Sequence, residues 1–198
     1  MPQSTREITS DDIIPDAEFR LHRAERRASL LPMKRLRRVA LGPDCTFYFE
    51  SFDTMLFQVQ EMLLVEGGGP AQISGELAAY NPLIPQGEEL VATVMFEIEN
   101  ATRRAQFLAG LGGIERNFYL QTGDQRSLGT PEDDSARTRE DGKTSAVHFL
   151  RFGMTKQQIA TFQEPSAHVM IGCADPRYAH MAVLGPAVRI ELARDFRP

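Results

Sequence analysis

The chain has no tryptophan and only two cysteines in 198 residues. Cys45 and Cys173 lie far apart and match no metal-binding spacing, so they read as small core thiols kept reduced, as in a cytoplasmic protein. No run of roughly 18 apolar residues occurs, which argues against a membrane span. The opening stretch "MPQSTREITSDD" is too polar for a signal peptide, and a cytoplasmic location is expected. There is no Walker loop and no G-x-S-x-G elbow. The segment "GLGGIE" (110–115) reads as a helix end rather than a dinucleotide loop. The four histidines form no H-x-x-x-H pair; Glu18 and His22 stand one helical turn apart, but on an arginine-rich face that makes a poor metal site. Each absence removes one familiar chemistry.

What is present is a core and an uneven distribution of charge. Apolar residues make up 42% of the chain, enough to fill one large domain spanning 1–198. The net charge of −5 divides into +3 over residues 1–42 and −8 over the remainder. Residues 20–38 carry eight basic side chains and one acidic one, Glu25. No RNA-binding aromatic signature accompanies them, so they read as the solvated face of a helix and nucleic acid is not expected as a partner.

That basic segment, 8–38, is predicted to hold a helix capped at Ser10 or Asp11 and stopped near Leu31 by Pro32. Ile14, Ala17, Leu21, Ala24, Ala28 and Leu31 make one narrow apolar seam along it, which makes a homodimer an expectation. A hairpin follows, Val39 and Leu41 turning at Gly42-Pro43-Asp44 into a strand from Cys45 to Glu50. Helices are predicted over 51–66, which is apolar on two sides and so buried, and over 70–81. A strand over 90–99 leads to a helix capped by Asn100 and ended at Gly112-Gly113. Strands near 117–122 and 125–128 precede a charged stretch, 130–143, expected to be a mobile loop. The strand "TSAVHFLRF" (144–152), a helix over 155–162, a hairpin over 167–184 and a proline-started helix over 186–196 complete the chain. The expected class is α+β, a single domain with a largely antiparallel sheet and helices packed on it.

Polar residues embedded in apolar segments are the candidate site: Glu50, Gln58, Glu61, Tyr80, Asn81, Glu97, His148 and Arg151. Such a set pairs internally as a buried network, or its carboxylates and histidine perform acid–base work or hold a metal. Glu61 and His148 are the metal candidates. Strand alternation puts His148 and Arg151 on opposite faces. His148 is expected to face Gln58 or Glu61, and Arg151 to pair with Glu97 or Glu50.

The stretches "RRVALGPDCTFYFESFDTMLFQVQEMLLVE", "ELAAYNPLIP", "GIERNFYLQ" and "TSAVHFLRF" resemble an uncharacterised bacterial family catalogued as a domain of unknown function. Members of that family are often encoded near rubrerythrin-like and iron–sulfur oxidoreductase proteins. The resemblance therefore implies a binding or accessory protein in redox or stress metabolism, with a redox enzyme as partner. It supplies no catalytic residues and no cofactor. The alternative is a metal-binding protein or enzyme using buried glutamate and histidine side chains.

Overall fold

A computed structural model describes residues 6–132 and 144–196. Among the described residues six α-helices and nine strands run in the order α1 (Asp16–Leu36), β1 (Arg38–Leu41), β2 (Cys45–Phe49), α2 (Phe52–Glu66), α3 (Pro70–Tyr80), β3 (Glu89–Phe96), α4 (Ala101–Ala109), β4 (Phe118–Thr122), β5 (Gln125–Leu128), β6 (Thr130–Pro131), β7 (Val147–Gly153), α5 (Lys156–Gln163), β8 (Val169–Cys173), β9 (His180–Val183) and α6 (Pro186–Leu192). The strands form two antiparallel sheets, ordered β1-β2-β3-β7-β6 and β5-β4-β8-β9. The class is α+β.

Alternation along the strands builds two cores. Phe47, Leu90, Ala92, Val94, Leu150 and Phe152 of the larger sheet face Phe118, Leu120, Val169 and Ile171 of the smaller one, and all are buried. Phe47 meets Phe118 edge-on, ring centres 5.4 Å apart, across this interface. On the outer face of the larger sheet, Val91 packs with Met55, Val59 and Leu63 of α2 and with Leu83 and Ile84. Hence α2 covers one side of the larger sheet while the smaller sheet covers the other.

Local signals set the helix ends. Ser51 accepts from the Thr54 amide and Thr54 Oγ1 accepts from the Ser51 amide, which starts α2; Gly67, at φ 65°, ends it. The second apolar patch of α2 is covered from outside, where Phe57 meets Phe19 of α1 edge-on at 5.7 Å. Pro186 occupies the first turn of α6, where its missing N–H costs nothing. In β8, Gly172 leaves the space that Tyr119's ring fills: a Cβ there would lie 2.4 Å from the ring.

Several boundaries differ from the sequence expectation. Ser10–Asp12 form a separate 3-10 turn, and α1 begins only at Asp16. The helix then passes through Pro32 to Leu36, because Met33 and Leu36 rest against the body and Arg37 behind them is anchored. β3 stops at Phe96, before Glu97. The segment expected to be a loop from 130 starts as a strand: Thr130 pairs with Arg151, and Pro131 with Leu150. The rest of that expected loop, 133–143, lies outside the described residues.

Candidate functional site

Four of the eight candidate residues act as separate pins. Asn81 holds the segment before α1, its Oδ1 accepting from the Ile8 amide at 2.8 Å and its Nδ2 donating to the Ile8 carbonyl at 2.9 Å. Tyr80 packs half-buried on the α2 core beside it. Glu61 accepts from Arg23 Nε and Nη2, at 2.7 and 2.6 Å, and this pairing holds its carboxyl below the ordinary glutamate range. Glu97 sits beyond β3. Partial burial pushes its carboxyl up, but hydrogen bonds from Thr46 and Tyr48, together with Arg38, outweigh that and hold it below the ordinary value.

His148 and Arg151 do lie on opposite faces of β7, but not toward the expected neighbours. His148 pairs in register with Val94 and points between the sheets, edge-on to Phe96, away from α2. Its Nε2 lies 2.9 Å from the Ser145 carbonyl, which can only accept, so the proton is assigned to Nε2; Thr144 Oγ1 is 3.3 Å away. Arg151 reaches Glu89 and the Pro82 carbonyl, and Glu132 at 2.9 Å. The expected carboxylates, Glu97 and Glu50, are occupied elsewhere. Glu89 was within reach because it precedes β3's apolar run and stands across from Gly153, two residues along from Arg151.

The structure does not bring Glu61 and His148 together, since the larger sheet separates them. Among the described residues no group of three or more His, Cys, Asp or Glu side chains is arranged to hold a metal ion. The thiols are no better placed for chemistry. Burial pushes both up, Cys173 to about 11, and such thiols are poor nucleophiles.

The structure does bring Glu50 and Gln58 together. They line a small open cleft with Lys34, Arg37, Tyr48, Phe49, Thr54 and Met55. Three elements meet there: the end of α1, the end of β2 and the first turns of α2. Glu50 is buried at the floor and accepts from the Thr54 and Thr93 hydroxyls, each at 2.7 Å. Burial raises its carboxyl above the ordinary range; the two hydroxyls and the nearby Lys34 and Arg37 offset only part of that.

Arg37, which the sequence reading left among the solvated basic residues, forms the cleft's rear wall. It is buried and donates to Asp195 at 2.9 and 2.8 Å, to Glu191 at 3.1 Å and to the Glu50 carbonyl at 3.0 Å. Nothing in its own segment sets it apart from Arg35 or Arg38. The signal was at the other end of the chain, where Glu191 and Asp195 share the inward face of the last helical turns.

A profile of the family described as "Protein of unknown function (DUF3501)" matches residues 7–196. The chain belongs to this family. The fold is shared with a protein of unknown function from Burkholderia pseudomallei, known from a crystal structure at 1.90 Å. That protein is 34% identical, with a TM-score of 0.88 over 96% of this chain and 99% of the other. No curated protein matches the sequence. Family membership thus fixes the fold over nearly the whole chain, and no described helix is long and apolar enough to cross a membrane.

Proposed function

We propose that this member of the family is a binding or accessory protein of redox or stress metabolism, and that it takes an acidic side chain of a partner protein in the Glu50 cleft. The observation that carries the reading is the cleft's charge arrangement. Lys34 is exposed at the mouth, while the one carboxylate on the floor, Glu50, is turned toward two hydroxyls and raised above its ordinary range by burial. A carboxylate entering the cleft meets an ammonium and the Gln58 amide, while the Glu50 carboxyl is turned aside onto its two hydroxyl donors. Phe49 and Met55 supply apolar wall. The redox or stress assignment rests on the family resemblance; the cleft supports the binding role.

Affinity capture from the native bacterium tests this. The wild-type chain is expected to retain one or a few proteins in stoichiometric amount, and Lys34→Glu to lose them while melting normally, because Lys34 is a surface residue. Repeated recovery of the chain alone, or equal capture by wild type and Lys34→Glu, refutes the reading.

A further inference from the structure

Helix α1 is covered on one side only. Phe19, Arg23, Leu30, Met33 and Arg37 follow one another at roughly helical spacing and face the body. Phe19 meets Phe57, Arg23 binds Glu61, and Arg37 enters the buried ion cluster. About half a turn away, at 3.6 residues per turn, lies a second row made by Ala17, Leu21, Ala24, Ala28 and Leu31. Their spacings alternate four and three, and all five are exposed, Leu21 at 81% and Leu31 at 44%. Two heptads of apolar residues at a and d positions, facing water, are the pattern of a coiled-coil seam without its second helix. Ile14 does not continue the row, because it lies before the helix with its amide and carbonyl bound to Gln60.

The charges beside the seam say which helix fits. With Leu21 and Ala28 at a and Ala17, Ala24 and Leu31 at d, one flank carries Arg20, Arg27 and Lys34, and the other carries Glu18 and Glu25. In a parallel pair each g position approaches the e position five residues further along the neighbouring helix. Arg20 then meets Glu25 of the second copy, and the twofold axis repeats that pair. An antiparallel pair brings the basic flanks together and the acidic flanks together. Glu25 is available for this: it is 85% exposed and its neighbour His22, 3.7 Å away, is exposed too.

We propose that two copies of this chain associate through α1, helix beside helix in parallel, with Leu21 and Leu31 as the large seam residues and Arg20–Glu25 pairs fixing the direction. The three alanines let the two helices approach closely. The Glu50 cleft lies toward the body side of α1 and shares only Lys34 with the basic flank of the seam, more than two turns from the Arg20–Glu25 pairs.

Sedimentation velocity over a concentration series reads the outcome. The wild-type chain is expected to shift toward a species of twice its 22.2 kDa mass. Leu21→Glu should remain monomeric at every concentration with an unchanged circular dichroism spectrum. Arg20→Glu should weaken association at least tenfold, and the double variant Arg20→Glu with Glu25→Arg should restore it. Ala28→Cys should give a covalent dimer on oxidation, since an a position faces itself across a parallel pair. A wild-type chain monomeric throughout, a dimer unaffected by Leu21→Glu, or a dimer tightened by Arg20→Glu each overturns the proposal. If Leu21→Glu does not fold, the charge-swap pair decides alone.

Discussion

Arg37 and Arg151 are both arginines among apolar neighbours, yet their environments set different consequences for losing them. Arg37 is sealed with Asp195 and Glu191; Arg194 still reaches Glu191 at 2.8 Å, so Arg37→Ala leaves Asp195 as the buried carboxylate without its cation. Its loss is expected to cost about 3–5 kcal/mol, the range for breaking a buried ion pair. Arg151 keeps 28% of its side chain exposed, and its partners Glu89 and Glu132 are also partly exposed. Water can replace the guanidinium there, and Arg151→Ala should cost clearly less. Urea denaturation of the two variants checks the order; equal losses would contradict it. Glu50 makes a second prediction. Because its folded pKa is raised, the folded state keeps the proton that the unfolded state has already released. Its contribution is fully present below the unfolded value and is lost as pH rises through the raised folded value. Glu50→Gln, which cannot ionise, should therefore gain stability relative to wild type on raising the pH from below 4.5 toward neutrality. Denaturation midpoints of the pair across that range measure it, and a difference that stays flat would count against the assignment.

At the scale of elements, two side-chain amides fasten the segment before α1 as a strand partner would. Gln60 of α2 accepts from the Ile14 amide at 2.9 Å and donates to its carbonyl at 3.2 Å, repeating what Asn81 does at Ile8. Gln60→Ala leaves both backbone groups to find water or go unpaired, a cost of about 1–3 kcal/mol. Amide exchange at Ile14 should quicken well before exchange in α2 does; unchanged protection there would mean another group holds the segment. Pro32 tests α1 itself. A proline inside a helix costs about 3 kcal/mol relative to alanine, part of which it returns by restricting the unfolded chain. Pro32→Ala is expected to stabilise the protein by about 2 kcal/mol, read as a raised Tm. A lowered Tm would show that the proline's ring packing outweighs its missing hydrogen bond.

Across the whole molecule, alternation made the strands of both sheets legible, because a period of two survives whatever packs on either face. The two-sided apolar pattern of α2 likewise announced a buried helix. Which neighbour covers each face was not legible. His148 was expected toward α2, but apolar residues alternate on both faces of β7 and the smaller sheet claimed its side. Of the candidate residues, Glu50 and Gln58 share a cleft, while Glu61, Asn81, Glu97 and Arg151 were recognisable as polar positions without any sign of their separate partners. Arg37 escaped notice because a buried arginine in a basic run has the same local sequence as its exposed neighbours. Long-range pairing has no short-range signature.

That same pairing sets a timetable for synthesis. Arg37 and Asp195 are separated by 158 residues, which take about 8–30 s to translate at roughly 5–20 residues per second. Through that interval α1 and the first hairpin have left the ribosome with the cation that anchors them still facing solvent. The Glu50 cleft, whose rear wall Arg37 forms, is finished only once the last helical turn emerges. A nascent chain stalled short of Glu191 should thus present α1 loosely held and open to proteolysis near Arg37, and release of the completed chain should close that site.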